Sequence, residues 1–175
     1  MLPLLWLCVR NGLFVAFLLA MSLPARAAGI AEARTVEDVL RTFQPKSRLR
    51  IVNVWATWCV PCVAEIGDLQ SIADRYRASG VELIGISLDD AIPGDRAVSK
   101  KTVERFLAGR HIRFRNVYYT GRTPDLADRL HFDAAIPITL VFDATGHEVA
   151  RTQGVLDVAH FRQTLEKLLQ NIPRT

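Results

Sequence analysis

The chain has 175 residues, half of them apolar and 23% charged, with 22 Lys and Arg against 18 Asp and Glu. That length fits one domain with a short terminal extension, and the composition excludes a disordered chain. Arg10 and Arg26 are the only charged side chains among the first 27 residues, so the remainder carries 20 basic against 18 acidic groups, a near-neutral body with no electrostatic footprint for nucleic acid.

Leu13 to Leu23 is an almost unbroken apolar run behind Arg10, and Ala25-Arg26-Ala27 supplies the small residues of a cleavage site, so residues 1–27 are predicted to be an export signal. Spanning a bilayer takes roughly 20 apolar residues, and Arg10-Asn11 interrupts the stretch that reaches this length. Met1 to Val9 is apolar as well, which leaves retention as a membrane anchor open beside cleavage. Either outcome places the remainder outside the cytoplasm. Cys8 lies in the signal, leaving Cys59 and Cys62. A loop that small gains little stability from closure, so the pair is not there as a staple.

Residues 28–34 read as a tether and 35–172 as the domain. Thr35, with Asp38 three residues on, caps a helix whose Val36, Val39, Leu40 and Phe43 share a face, and Pro45 ends it. Leu49–Trp55 is a β-branched run typical of a buried strand. Pro61 opens a helix with apolar residues at helical spacing from Val63 to Tyr76, closed by Gly80. Val81–Leu88 is a second strand, 89–98 a loop, Ser99–Ala108 a helix, Phe114–Tyr119 a third strand and Pro124–Leu130 a short helix. A hairpin around Asp143-Ala144-Thr145-Gly146 and a helix from Asp157 to Gln170 complete the pattern. Alternating strands and helices with a terminal hairpin predict an α/β fold, a mixed central sheet with helices on both faces. A CxxC at a strand-to-helix turn of such a unit points to a thioredoxin-like redox site.

Disulfide exchange needs an accessible, ionisable thiol beside a second sulfur. Unpaired N–H groups at a helix N-terminus favour the thiolate. Cys59 occupies that position and is the expected nucleophile; Cys62, a turn further in, is the expected resolving thiol. A zinc site needs four ligands, and the sequence has no second CxxC and no finger-like spacing among His111, His131, His147 and His160.

Val52-Asn53-Val54-Trp55-Ala56-Thr57-Trp58-Cys59-Val60-Pro61-Cys62-Val63-Ala64-Glu65 resembles the active-site segment of the TlpA/ResA/DsbE branch of the thioredoxin superfamily. Ala135-Ile136-Pro137 and the following Ile138-Thr139-Leu140-Val141-Phe142 resemble its cis-proline loop and strand. The resemblance runs from about Ile30 to Leu169. It implies an exported thiol–disulfide oxidoreductase, periplasmic in a bacterium, that requires no metal or organic cofactor. It also implies a cis Ile136–Pro137 bond, a loop offering backbone groups to an extended substrate, and electrons from a membrane reductase of the DsbD or CcdA type. The substrates implied are exported cysteine-containing proteins, apocytochrome c among them.

Pro137 as the mere start of an edge strand is the plainer alternative. Asn53 stands where thioredoxin has a buried aspartate. Glu65 matches an acidic residue of the ResA-like proteins; it either tunes the cysteines from their face of the helix or is a solvated first-turn residue. Val60-Pro61 carries no charge, which predicts a potential toward the reducing end of the range. Trp58 is expected to flank the site and Trp55 to join the core. Arg110, His111, Arg113 and Arg115 form either a solvated face or a docking surface. A copper-carrying module is the alternative from another class, though such proteins use a wider cysteine spacing; a peroxidase is disfavoured because Cys59 lacks the expected threonine-to-cysteine pattern.

Overall fold

The computed structural model describes residues 30–43 and 47–172. The predicted signal and Pro45 lie outside these residues. The elements in chain order are β1 (Ala31–Ala33), α1 (Val36–Leu40), β2 (Leu49–Trp55), α2 (Val60–Tyr76), β3 (Val81–Ser87), α3 (Arg96–Gly109), β4 (Arg115–Tyr119), α4 (Thr123–Leu130), β5 (Ile138–Asp143), β6 (Glu148–Gln153) and α5 (Val158–Asn171). They build one six-stranded sheet ordered β1-β4-β3-β2-β5-β6. β1, β4, β3 and β2 run parallel, while β5 and β6 are antiparallel additions beside β2. β2 and β3 lie at the centre, and only one position in each is less than fully buried. Their near-continuous apolar sequence follows from being covered on both faces.

Side-chain contacts assign the layers. Asn53 of β2 donates to Glu65 of α2, the Trp55 ring lies 5.4 Å from Phe106 of α3, and Tyr76 of α2 donates to Glu166 of α5 at 2.9 Å. On the opposite face, Arg50 lies over Phe43 beyond α1, and Arg129 of α4 pairs with Glu37 of α1 at 3.6 Å. Asn53 and Trp55 share one face of β2, so α2 and α3 lie on the same side, as right-handed parallel crossovers require.

Local chemistry sets the boundaries. Thr35 and Asp38 form a reciprocal capping box, Thr35 Oγ1 accepting from Asp38 N at 3.1 Å and Asp38 Oδ2 from Thr35 N at 2.9 Å. Gly80 ends the 3₁₀ turn after α2 at φ 81°. Two expectations are corrected. Ala31–Ala33, expected within a tether, is an edge strand paired with Val117–Tyr119, and the Glu32 carboxylate and Lys100 ammonium fix it to α3 at 2.7 Å. α3 begins three residues earlier than expected, because the Asp95 carboxylate accepts from Ala97 N and Val98 N. The basic cluster is partly engaged: Arg113 pairs with Asp74 at 2.6 Å, Arg115 reaches Glu82 and the Thr42 carbonyl, and Arg110 lies over Phe106.

Trp55 is locked from β3 and β4. Its Nε1 donates to Asn116 Oδ1 at 3.0 Å across Gly85, where a Cβ would lie 2.1 Å from that oxygen and 2.9 Å from Nε1. Gly85→Ala should therefore cost about 1–3 kcal/mol by overpacking. It would appear as a lower urea midpoint at unchanged slope; an unchanged midpoint would mean that the indole–carboxamide pair gives way freely.

Candidate active site

β2 ends at Trp55 and α2 starts at Val60, so the four-residue passage between them delivers Cys59 to the N-cap of α2. Cys59 has extended backbone at φ −87° and ψ 100°, and its Sγ accepts from Cys62 N at 3.3 Å. Pro61 fits the first turn because an N–H there has no intrahelical acceptor. Cys59 and Cys62 are joined as a disulfide with Cα atoms 5.3 Å apart. Cys59 is 6% exposed and Cys62 1%, so the expected order of access holds, but the window onto Cys59 is narrower than an exposed thiol implies.

The rim of that window is apolar and open. Trp58 is 47% exposed and Val60 78%. Trp58 also lines a shallow cleft of about 330 Å³ with Thr57, Ile92, Pro93 and Val98. Trp55, by contrast, is fully buried.

The 134–137 loop closes the other side. Ile136–Pro137 is cis, and the Ile136 carbonyl oxygen lies 3.7 Å from Cys59 Sγ. In the disulfide that sulfur has no proton and the approach is a contact; in the thiol it is within reach of an S–H donor. Three bonds fix the loop: Asp133 accepts from Ala135 N at 3.0 Å, Gln153 Nε2 donates to the Ala135 carbonyl at 2.8 Å, and Gly154 N donates to the Pro137 carbonyl at 2.9 Å. β5 follows directly at Ile138, and Ile136 N has no hydrogen-bond partner among the described residues.

Beneath the cysteines lies a buried polar trio. Glu65, one turn after Cys62, is only 4% exposed, which overturns the solvated alternative. Its Oε2 accepts from Leu156 N at 2.9 Å and its Oε1 from Asn53 Nδ2 at 3.3 Å; Asn53 also donates to Thr139 Oγ1 at 3.0 Å, its register partner on β5. Burial pushes the Glu65 carboxyl up, against the opposing hydrogen bonds from Leu156 and Asn53.

A second buried carboxylate, Asp89, escaped the sequence analysis, which places it in a loop. It accepts from Thr57 N at 3.1 Å, from the Thr57 hydroxyl, and from Ser87 Oγ at 2.7 Å. These bonds tie the turn entering Trp58-Cys59 to the end of β3. Only the non-local approach of Thr57 marks Asp89 as a site residue. Among the described residues no three His, Cys, Asp or Glu side chains come together as metal ligands.

The fold is thioredoxin-like, with its cysteine pair at the strand-to-helix turn and facing a cis-proline loop. The chain belongs to the AhpC/TSA family, whose model matches residues 32–166. It is 46% identical over 39 residues to the thiol-disulfide oxidoreductase ResA of Oceanobacillus iheyensis, covering 22% of this chain and 20% of that protein. It is 27% identical over 125 residues to the thiol:disulfide interchange protein HelX of Rhodobacter capsulatus, covering 70% and 61%. The matches therefore span less than two thirds of either relative. Among solved structures, a secreted thiol-disulfide isomerase from Corynebacterium glutamicum superposes with a TM-score of 0.62 at 21% identity, covering 75% of each chain. A thioredoxin-related protein from Neisseria meningitidis serogroup B gives 0.60 at 19% identity, covering 75% of this chain and 90% of the other.

The raised Glu65 carboxyl links protonation to stability. The folded state keeps this proton to higher pH than the unfolded chain, so the contribution is full below the ordinary value of 4.5 and is lost as pH rises through the folded value. The stability of wild type minus that of Glu65→Gln, from urea unfolding, should fall as pH rises from about 4.5. A pH-independent difference would contradict the raised carboxyl.

Proposed function

We propose that this chain is an exported thiol–disulfide oxidoreductase that reduces disulfides of other exported proteins. The observation that carries this is the Cys59 sulfur at the head of α2, bonded to Cys62 and 3.7 Å from the Ile136 carbonyl. In the reduced enzyme the Cys59 thiolate attacks one sulfur of a substrate disulfide, forming a mixed disulfide and expelling the other as a thiolate. Cys62 then loses its proton and attacks the Cys59 sulfur, forming Cys59–Cys62 and releasing the second substrate thiolate. Two electrons pass from the enzyme dithiol to the substrate, and two protons complete its thiols.

The neighbouring groups suit that sequence. The unpartnered Ile136 N–H, with its carbonyl, can take an extended substrate strand by backbone hydrogen bonds. Trp58, Val60 and Ile92 offer apolar contact to residues beside the substrate's cysteine. Glu65, poised by burial to hold a proton, lies a turn from Cys62 and serves as its proton acceptor.

Export rests on the apolar run and A-x-A sequence before Ala28, together with the description of the C. glutamicum neighbour as secreted. Electrons return from a membrane dithiol reductase of the DsbD or CcdA type, and apocytochrome c is one candidate among exported cysteine-containing substrates, both by family resemblance. The relatives ResA and HelX, named for disulfide oxidoreduction and interchange, support the reaction class.

Equilibration with glutathione should give a potential nearer about −270 mV than about −120 mV, because the Val60-Pro61 dipeptide adds no charge to stabilise the thiolate. A value near the upper figure would make the protein an oxidant. In the native host, Cys62→Ser should trap substrates as mixed disulfides that Cys59→Ser does not form. Equal trapping by both variants would remove the assigned roles.

A further inference from the structure

At the opposite pole from the cysteines, a cleft of about 420 Å³ opens between α1, α4 and the β5–β6 hairpin. Leu40, Phe43, Leu130 and Phe142 supply its apolar walls, with Arg50 entering from the second position of β2. From Arg50 to the end of β2 is about 17 Å of extended strand, so this is not the redox site.

No carboxylate among the described residues answers the charge of Arg50. Its guanidinium lies 5.7 Å from the centre of the Phe43 ring, its Nε is closed off from solvent with no acceptor, and it makes no hydrogen bond or ion pair among the described residues. The nearby carboxylates are committed elsewhere. Glu148 is held by two nitrogens of Arg151, Glu82 by Ser47 and Arg115, and Glu37 by Arg129. His131 and His147 lie at the rim, and no cluster of metal-ligating side chains forms here among the described residues. Arg151 also donates to the Leu130 and His131 carbonyls, pinning the end of α4 to β6 and fixing the cleft's width.

We propose that this cleft binds a small amphipathic monocarboxylate, its carboxylate taken by the Arg50 guanidinium and its apolar body lying between Phe43, Leu130 and Phe142. A planar fork of donors recognises a carboxylate in a way that neither an alcohol nor a cation reproduces. The cleft's volume is within the usual range for small-molecule sites.

Calorimetric titration of the oxidised protein with octanoate, 1-octanol and acetate tests this. Octanoate should bind saturably at one site per chain, and 1-octanol and acetate each about tenfold or more weaker, since head and body both contribute. Arg50→Gln should weaken octanoate about tenfold or more and leave 1-octanol unchanged. Should that variant fail to fold, amide-shift mapping on the wild type decides: shifts centred on Phe43, Arg50 and Phe142 support the site. No saturable octanoate binding, equal binding of 1-octanol, or shifts centred on Trp58 would overturn the proposal. Disulfide reduction by Arg50→Gln should match wild type, so loss of this site and loss of the redox function are told apart.

Discussion

A sulfur atom at the head of a helix is useful only if the chain entering that helix cannot drift. In this protein the entry is short, four residues between the last strand position and the first helical one, and both ends are clamped. Behind it, Trp55 is fully buried and hydrogen-bonded to Asn116 through the space that Gly85 leaves open. Midway, Asp89 takes the amide and hydroxyl of Thr57, and Ser87 holds Asp89 in turn. Ahead, the Cys62 amide meets Cys59 Sγ and the Ile136 carbonyl faces it from the other side. The sulfur is set by contacts from β3, β4 and the β5 loop as much as by its own segment.

The two buried carboxylates divide the work. Asp89 is enclosed by donors and holds the backbone of the approach. Glu65 is less fully compensated: burial raises its carboxyl despite bonds from Leu156 and Asn53, so a proton is readily kept there. Through Leu156 it also fastens the connection into α5 to the first turns of α2, and through Asn53 and Thr139 it joins β2 to β5. One side chain thus couples the cysteine helix to the strand that follows the cis-proline loop.

The parts of this arrangement that are local in sequence are legible there. β2 runs over the same Leu49–Trp55 that its β-branched composition marks, and Thr35 with Asp38 and Asp157 cap the helices they announce. Cys59 caps the helix after that strand, and Pro61 and Cys62 fall in its first turn, where the patterns place them. The parts missed depend on distant partners. Ala31-Glu32-Ala33 has no strand signature of its own and becomes a strand by pairing with β4. Glu65 falls in the second turn of α2 and is buried because Asn53 and the backbone at Leu156, 91 residues away, pack against it. Asp89 reads as the start of a loop until Thr57 is seen beside it. Sequence marks the cysteine pair; its setting comes from contacts between segments.

The central claim is that Cys59 alone of the pair is reachable and nucleophilic in the folded reduced domain. Limited alkylation by iodoacetamide at neutral pH, read by peptide mass, addresses it directly. The label should fall on Cys59, with Cys62 modified at a comparable rate only after unfolding. Label on Cys62 first, or equal labelling of both in the folded protein, would contradict the account.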